Sequence, residues 1–140
     1  DNEGKYDRKY VGDLVFNNKD LLEKLNSLIH PAVALDFAQW VRSQTAPLLF
    51  KETALLFELR LHEKTDASLL VTADDNIRMK RVMDRDGKTY REVENVMDKQ
   101  MSEREKCRKA DFIIYNNGNL EELESETKNT VEEIKDKFLG

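Results

Sequence analysis

The stretch Ala67-Ser68-Leu69-Leu70-Val71-Thr72-Ala73-Asp74-Asp75, continuing to Arg85-Asp86-Gly87, decides how this chain folds. Its first six residues are a short apolar run that reads as a buried strand, and Asp74 or Asp75 then caps a helix toward Arg85. Phe112-Ile113-Ile114-Tyr115, stopped at Asn116-Asn117-Gly118, reads as another strand, and Pro47-Leu48-Leu49-Phe50-Lys51, after a breaker, as a third. Strands that alternate with helices predict a parallel α/β architecture.

The helices follow from apolar spacing. Leu21, Leu22, Leu25, Leu28 and Ile29 repeat behind Asp20, a suitable N-cap, and predict a helix ending near His30-Pro31. Pro31 suits a first helical turn, so a second helix carrying Val33, Phe37, Trp40 and Val41 is expected after it, completing a helical hairpin with Trp40 in the core. Ala54-Leu55-Leu56-Phe57-Glu58 leads into helix or loop. The charged segment from Thr89 to Lys109 is helical in two pieces with a break near Ser102. The last helix places Leu120, Leu123, Val131, Ile134 and Phe138 on one face, to pack on the sheet. Four segments result: a helical one at 1–46, core strands at 47–77, a basic helical one at 78–110, and a strand with the final helix at 111–140.

Composition narrows the function. With 39% apolar and 36% charged residues in 140, the chain suits one soluble unit with a real core, and no apolar run is long enough to cross a membrane. Cys107 is the single cysteine, which excludes a disulfide within the chain and fits a cytoplasmic origin. The start, Asp1-Asn2-Glu3-Gly4-Lys5, has neither an initiator methionine nor a signal pattern, so the chain is expected to begin inside something longer. A net charge of −5 argues against general nucleic-acid binding. The charge is nevertheless uneven: between Arg78 and Lys109 eleven Lys/Arg face seven Asp/Glu, a local +4.

That basic segment carries the candidate chemistry. Arg78, Arg81 and Arg85 stand three and four residues apart and form one stripe on a helix, able to clamp phosphates. On spacing alone, a solvated face paired with Asp84, Asp86 and Glu92 is the competing reading. His30, His62 and Cys107 show no ligand spacing, so no metal site is indicated.

Several segments, taken in order, resemble the dephospho-coenzyme A kinases. They are Asn26-Ser27-Leu28-Ile29-His30-Pro31-Ala32-Val33; Glu52-Thr53-Ala54-Leu55-Leu56-Phe57-Glu58, with Ala54 where the family usually has proline; Lys80-Arg81-Val82-Met83-Asp84-Arg85-Asp86-Gly87; Gln100; Ala110-Asp111-Phe112-Ile113-Ile114; and Asn116-Asn117-Gly118. The resemblance runs from about Gly4 to the last helix. It implies part of a P-loop kinase-like parallel sheet with helical acceptor-binding and lid segments. It also implies transfer of the γ-phosphate of ATP, with Mg²⁺, to the ribose 3′-hydroxyl of dephospho-coenzyme A. Arg81 and Arg85 would then be the lid groups that meet phosphate, Asn117 and Gly118 would border adenine, Lys80 and Gln100 would be weaker nucleotide contacts, and His30 would face the acceptor.

Gly87-Lys88-Thr89 imitates the end of a phosphate-binding loop, but Val82 stands where the motif needs its other glycine. In the family resembled, that loop and the aspartate expected to act as base lie upstream of this region, so the chain alone is expected to be inactive and to bind no nucleotide tightly. The family's first strand, usually central, has no counterpart either. Its gap would leave two strand edges free and favour homo-oligomers or rearranged packing. A related nucleoside or nucleotide kinase, and a non-catalytic interaction module, are the competing readings.

Overall fold

The computed structural model describes residues 7–16 and 18–140, with Phe16 described by its backbone alone. The reading of the polar start, and the resemblance near Gly4, lie outside the described residues. Two compact units are present: the described residues up to Leu49, and Phe50–Gly140.

The first unit pairs helix α1 (Arg8–Phe16) with helix α2 (Lys19–Arg42). The Asp7 side chain accepts from the Tyr10 amide at 2.9 Å and starts α1, a helix that Gly12 disguises in the sequence by weakening its helical pattern. Asn18 caps α2 by accepting from the Leu21 amide at 3.1 Å, the role expected of Asp20. The expected break at Pro31 is absent, and Pro31 sits inside one 24-residue helix. A proline removes one rung of the ladder, and the helix formers on either side, Leu28, Ala32, Ala34 and Leu35, carry the helix across that gap. The hairpin expected about Pro31 is therefore absent, and α2 packs instead with α1, a helix the spacing did not predict. Trp40 is 44% exposed and stacks on Phe37 with ring centroids 5.8 Å apart, so it is not the core residue its spacing predicts.

The second unit is α/β. After a run of turns at 54–60 and a 3₁₀ turn (Leu61–Lys64) come β1 (Leu69–Thr72), α3 (Asp75–Asp86), α4 (Tyr90–Met97), α5 (Glu103–Lys109), β2 (Phe112–Tyr115) and α6 (Leu120–Leu139). β1 and β2 run parallel in the register Leu69↔Phe112 to Thr72↔Tyr115, as the alternation of strands and helices requires. Pro47–Lys51 forms no strand. A strand needs a neighbouring strand for its backbone ladder, and the sheet among the described residues consists of β1 and β2. The break at Ser102 appears as expected, with the Ser102 hydroxyl accepting from the Glu105 amide to start α5. Gly87 ends α3 in the left-handed conformation, φ 64°, which a side chain would disfavour.

Phe57, Ala73, Val93, Phe112, Ile114 and Ile134 make the core, with Ile114 only 1% exposed. α6 lies against β2, burying Thr130 and Ile134, and Lys137 places its ammonium 5.1 Å from the centre of the Phe112 ring. A two-stranded sheet is marginal by itself. Here a polar clasp pins its starting end: Asp111 Oδ2 accepts from both the amide (2.8 Å) and the hydroxyl (2.7 Å) of buried Ser68, whose hydroxyl oxygen accepts from the Asp111 amide.

The Ser68 hydroxyl and amide, bonded to the charged form, hold the Asp111 carboxyl below its ordinary value. A carboxyl lowered in this way contributes fully above its unfolded value, and the contribution is lost as pH falls through the lowered folded one. Asp111→Ala should therefore cost about 1 kcal/mol at neutral pH, a modest figure because Asp111 stays exposed to water. In denaturant titrations the gap between variant and parent should hold through neutral pH and close only at strongly acidic pH.

Candidate functional site

The carboxyl ends of β1 and β2 open onto a cavity of about 450 Å³. Ligands settle there in open α/β sheets because helix starts and loops converge at that edge. Thr72 and Ala73 form the strand side, Arg78, Arg81, Val82 and Arg85 the α3 side, Val93, Val96 and Met97 the α4 side, and Asp86, Lys88, Gln100 and Asn116 complete the lining. The stripe of three arginines read from spacing does face one space, and Lys88 extends it by a further step of three. Four cations and one carboxylate in the lining make the cavity suited to an anion.

The arginines are held differently. Arg78 is partly buried and bonds Asp75 and Glu103, each at 2.7 Å, so its charge is already met. Arg81 donates to the Asn116 carbonyl at 2.6 Å and to the Gly118 carbonyl at 3.1 Å, which fastens α3 to the loop after β2. Arg85 is exposed and forks onto its neighbour Asp86 at 2.7 and 2.9 Å. That bond keeps the Asp86 carboxyl below its ordinary value and the Arg85 guanidinium above its own. Of the three, Arg85 is bound most locally and can exchange Asp86 for a ligand anion without disturbing any other element.

Asn117 acts from the loop as a second clasp on the sheet. Its side-chain oxygen accepts from the Asp74 amide at 2.8 Å and its side-chain nitrogen donates to Asp74 Oδ1 at 3.2 Å. Gly118 follows, and a Cβ there would run into the Glu122 carboxylate. Gln100 lines the cavity from the turn after α4.

Lys80 is not part of this wall. It lies one residue off the stripe and borders a separate depression of about 300 Å³ with Met79, Met83, Asp84 and Tyr90. His30 is exposed in the middle of α2, in the first unit. Gly87-Lys88-Thr89 is a helix stop followed by a cap, in which Glu92 accepts from both the amide and the hydroxyl of Thr89. Lys88 escaped the sequence reading because the stripe was ended with the helix. Glu103 escaped it because α5, at seven residues, is too short for its pattern to mark a buried side.

Comparison with known proteins is decisive at this point. The model of the family described as dephospho-CoA kinase matches residues 1–122. The chain belongs to that family. A dephospho-CoA kinase from Fusobacterium nucleatum is 36% identical over 123 residues, covering 88% of this chain and 64% of that protein. One from Leptospira interrogans is 36% identical over 141 residues, covering 99% and 68%. Among solved structures, the TT1252 protein of Thermus thermophilus superposes with a TM-score of 0.81 at 35% identity, covering 93% of this chain and 68% of that one. Dephospho-CoA kinase from Campylobacter jejuni superposes with a TM-score of 0.56 at 29% identity, covering 93% and 66%. The chain thus spans roughly two thirds of the relatives it matches. The P-loop kinase fold expected from the resemblance is the fold of these neighbours.

For a dephospho-CoA kinase, the bond that organises this cavity is the fork of Arg81. Arg81→Lys should not restore what Arg81→Met removes, since one ammonium cannot reach two carbonyls in the guanidinium's plane. Both variants should lose about 1 kcal/mol in denaturant titrations and speed amide exchange at residues 116–118, leaving α6 unchanged.

Proposed function

We propose that this chain serves in the ATP-dependent phosphorylation of the ribose 3′-hydroxyl of dephospho-coenzyme A, forming coenzyme A and ADP. The observation that carries the reading is the cavity at the strand ends, with Arg81, Arg85 and Lys88 in its wall and the Asn116–Gly118 loop at its edge. Phosphoryl transfer spreads charge over the equatorial oxygens, and guanidinium groups set in place beforehand stabilise it. Arg85 would release Asp86 to meet phosphate, and Arg81 would meet it while holding the loop. Gln100, Asn117 and Gly118 would border the nucleotide.

Lys80 and His30 take part in this proposal as outlying contacts, Lys80 on the outer side of α3 and His30 toward the acceptor. Asp86 by itself gives Mg²⁺ no ligand set, and among the described residues no cluster of three or more His, Cys, Asp or Glu could hold a metal. No step is therefore assigned to Mg²⁺ here. Nor do these 140 residues contain a Gly-x-x-x-x-Gly-Lys-Ser/Thr loop. On this reading the chain by itself turns nothing over and holds nucleotide weakly, at the edge of the millimolar range, about 4 kcal/mol.

Titration of ADP into ¹⁵N-labelled chain tests the reading. Amides at 81, 85, 88, 100 and 116–118 should shift together toward saturation, and Arg85→Ala should blunt the shifts with no measurable loss of stability. An absence of shifts at about 10 mM ADP, ten times the expected constant, or a response confined to other residues, overturns it.

Assembly belongs to the same proposal. β1 pairs on one edge only among the described residues, and Val71 is 56% exposed. Unpaired strand edges recruit further strands. Light scattering should find dimers or larger assemblies of this chain, and a monodisperse monomer rejects that part.

A further inference from the structure

Behind the cavity wall lies a cluster of buried charges that the catalytic reading does not use. Glu103 is its hub. One of its oxygens accepts from the Thr72 hydroxyl at 2.5 Å, and the other accepts from Arg78 Nη1 at 2.7 Å and Lys106 Nζ at 3.2 Å. Lys106 Nζ also stands 4.0 Å from Glu58 Oε1, and that same oxygen accepts from the Met101 amide at 2.9 Å. The side chains are 10% exposed for Lys106, 17% for Glu103, 19% for Glu58 and 26% for Arg78. These two carboxylates and two cations balance, as charges at that depth must, and Asp75 bonds Arg78 from the solvent side at 2.7 Å.

Stability does not account for the cluster. Buried ion groups seldom stabilise more than apolar residues of the same volume would, and this one leaves Glu58 Oε2 and Arg78 Nε buried without partners. Its geometry does account for it, because the bonds end on the cavity. Thr72 and Arg78 line the cavity directly, and Met101 is the residue next to Gln100, which also lines it. Burial pushes the Glu103 carboxyl up, but the Thr72 hydroxyl and the neighbouring Arg78 and Lys106 outweigh it and hold the group below its ordinary value. Glu103 is therefore a fixed anion at neutral pH.

We propose that Glu103 is the positioning residue of this cavity: it holds Arg78 against the strand end and, through Lys106 and Glu58, ties the α3 wall to the wall that carries Gln100. Arg78 is thereby neutralised from behind and serves as scaffold, which leaves Arg81, Arg85 and Lys88 to meet the ligand. The inference rests on the nucleotide reading above for its ligand but not for its geometry.

The test uses the full 140-residue chain and Glu103→Gln. In the parent, the buried Arg78 Nε–H should give a slowly exchanging NMR signal. In the variant that signal should shift and lose protection together with the Gln100 and Met101 amides, while α6 is unchanged. ADP binding should weaken at least ten-fold. Glu103→Asp, charged but one methylene shorter, should not rescue either readout, because position matters beyond charge. If Glu103→Gln does not fold, Glu58→Gln carries the same measurements, with the Met101 amide as its reporter. A folded Glu103→Gln variant with unchanged Arg78 and ADP signals overturns the proposal, as does full rescue by aspartate. If the parent itself shows no response to ADP, the nucleotide reading falls, and the Arg78 and Met101 signals still decide the role of Glu103.

Discussion

The structure of the second unit depends on one pairing, the parallel ladder of Leu69–Thr72 with Phe112–Tyr115. Four residues on each side are too few to fix themselves, and the 43-residue separation adds loop-closure entropy. Two side-chain clasps resolve this at opposite ends of the ladder, Asp111 on Ser68 at the start and Asn117 on Asp74 at the finish. Apolar burial then adds the driving force. Ile114, almost wholly enclosed, contributes about 1.5–3 kcal/mol by itself. The cavity is the open end of this ladder, so the register of the strands also sets which side chains meet there.

Much of this was legible in the residues. Ile113 and Ile114 between Asp111 and Asn116 could only be a strand, and it forms at Phe112–Tyr115 as read. The arginine stripe was legible because a period of three and four survives in any helix, whatever surrounds it. The dephospho-CoA kinase motifs were legible because they recur in order along the whole chain, and the comparisons place the chain in that family.

What escaped the sequence depends on partners that sequence does not display. Pro47–Lys51 has the composition of a strand, yet a strand exists only where another backbone completes it. Pro31 has the position of a helix start, yet tolerance of a missing rung depends on the turns on both sides. Glu58 stands in a stretch that resembles the family, but its partner was not legible, since only the fold brings it beside Lys106, forty-eight positions later. Lys80 and Arg81 are neighbours in the chain, but the 100° between successive helical residues sends them to different depressions.

The two clasps have one more consequence. Residues 75–110 leave the ladder and return to it between two points that are each fixed. Lengthening that excursion would cost little closure entropy, about 0.6 kcal/mol for a doubling of length, but between its anchors it is bound again, by Glu103 to Thr72 and by Arg81 to the Asn116 and Gly118 carbonyls. Changes of length there are therefore tolerated only where they leave those bonds in register, which ties the geometry of the strand ends to the helices of the detour.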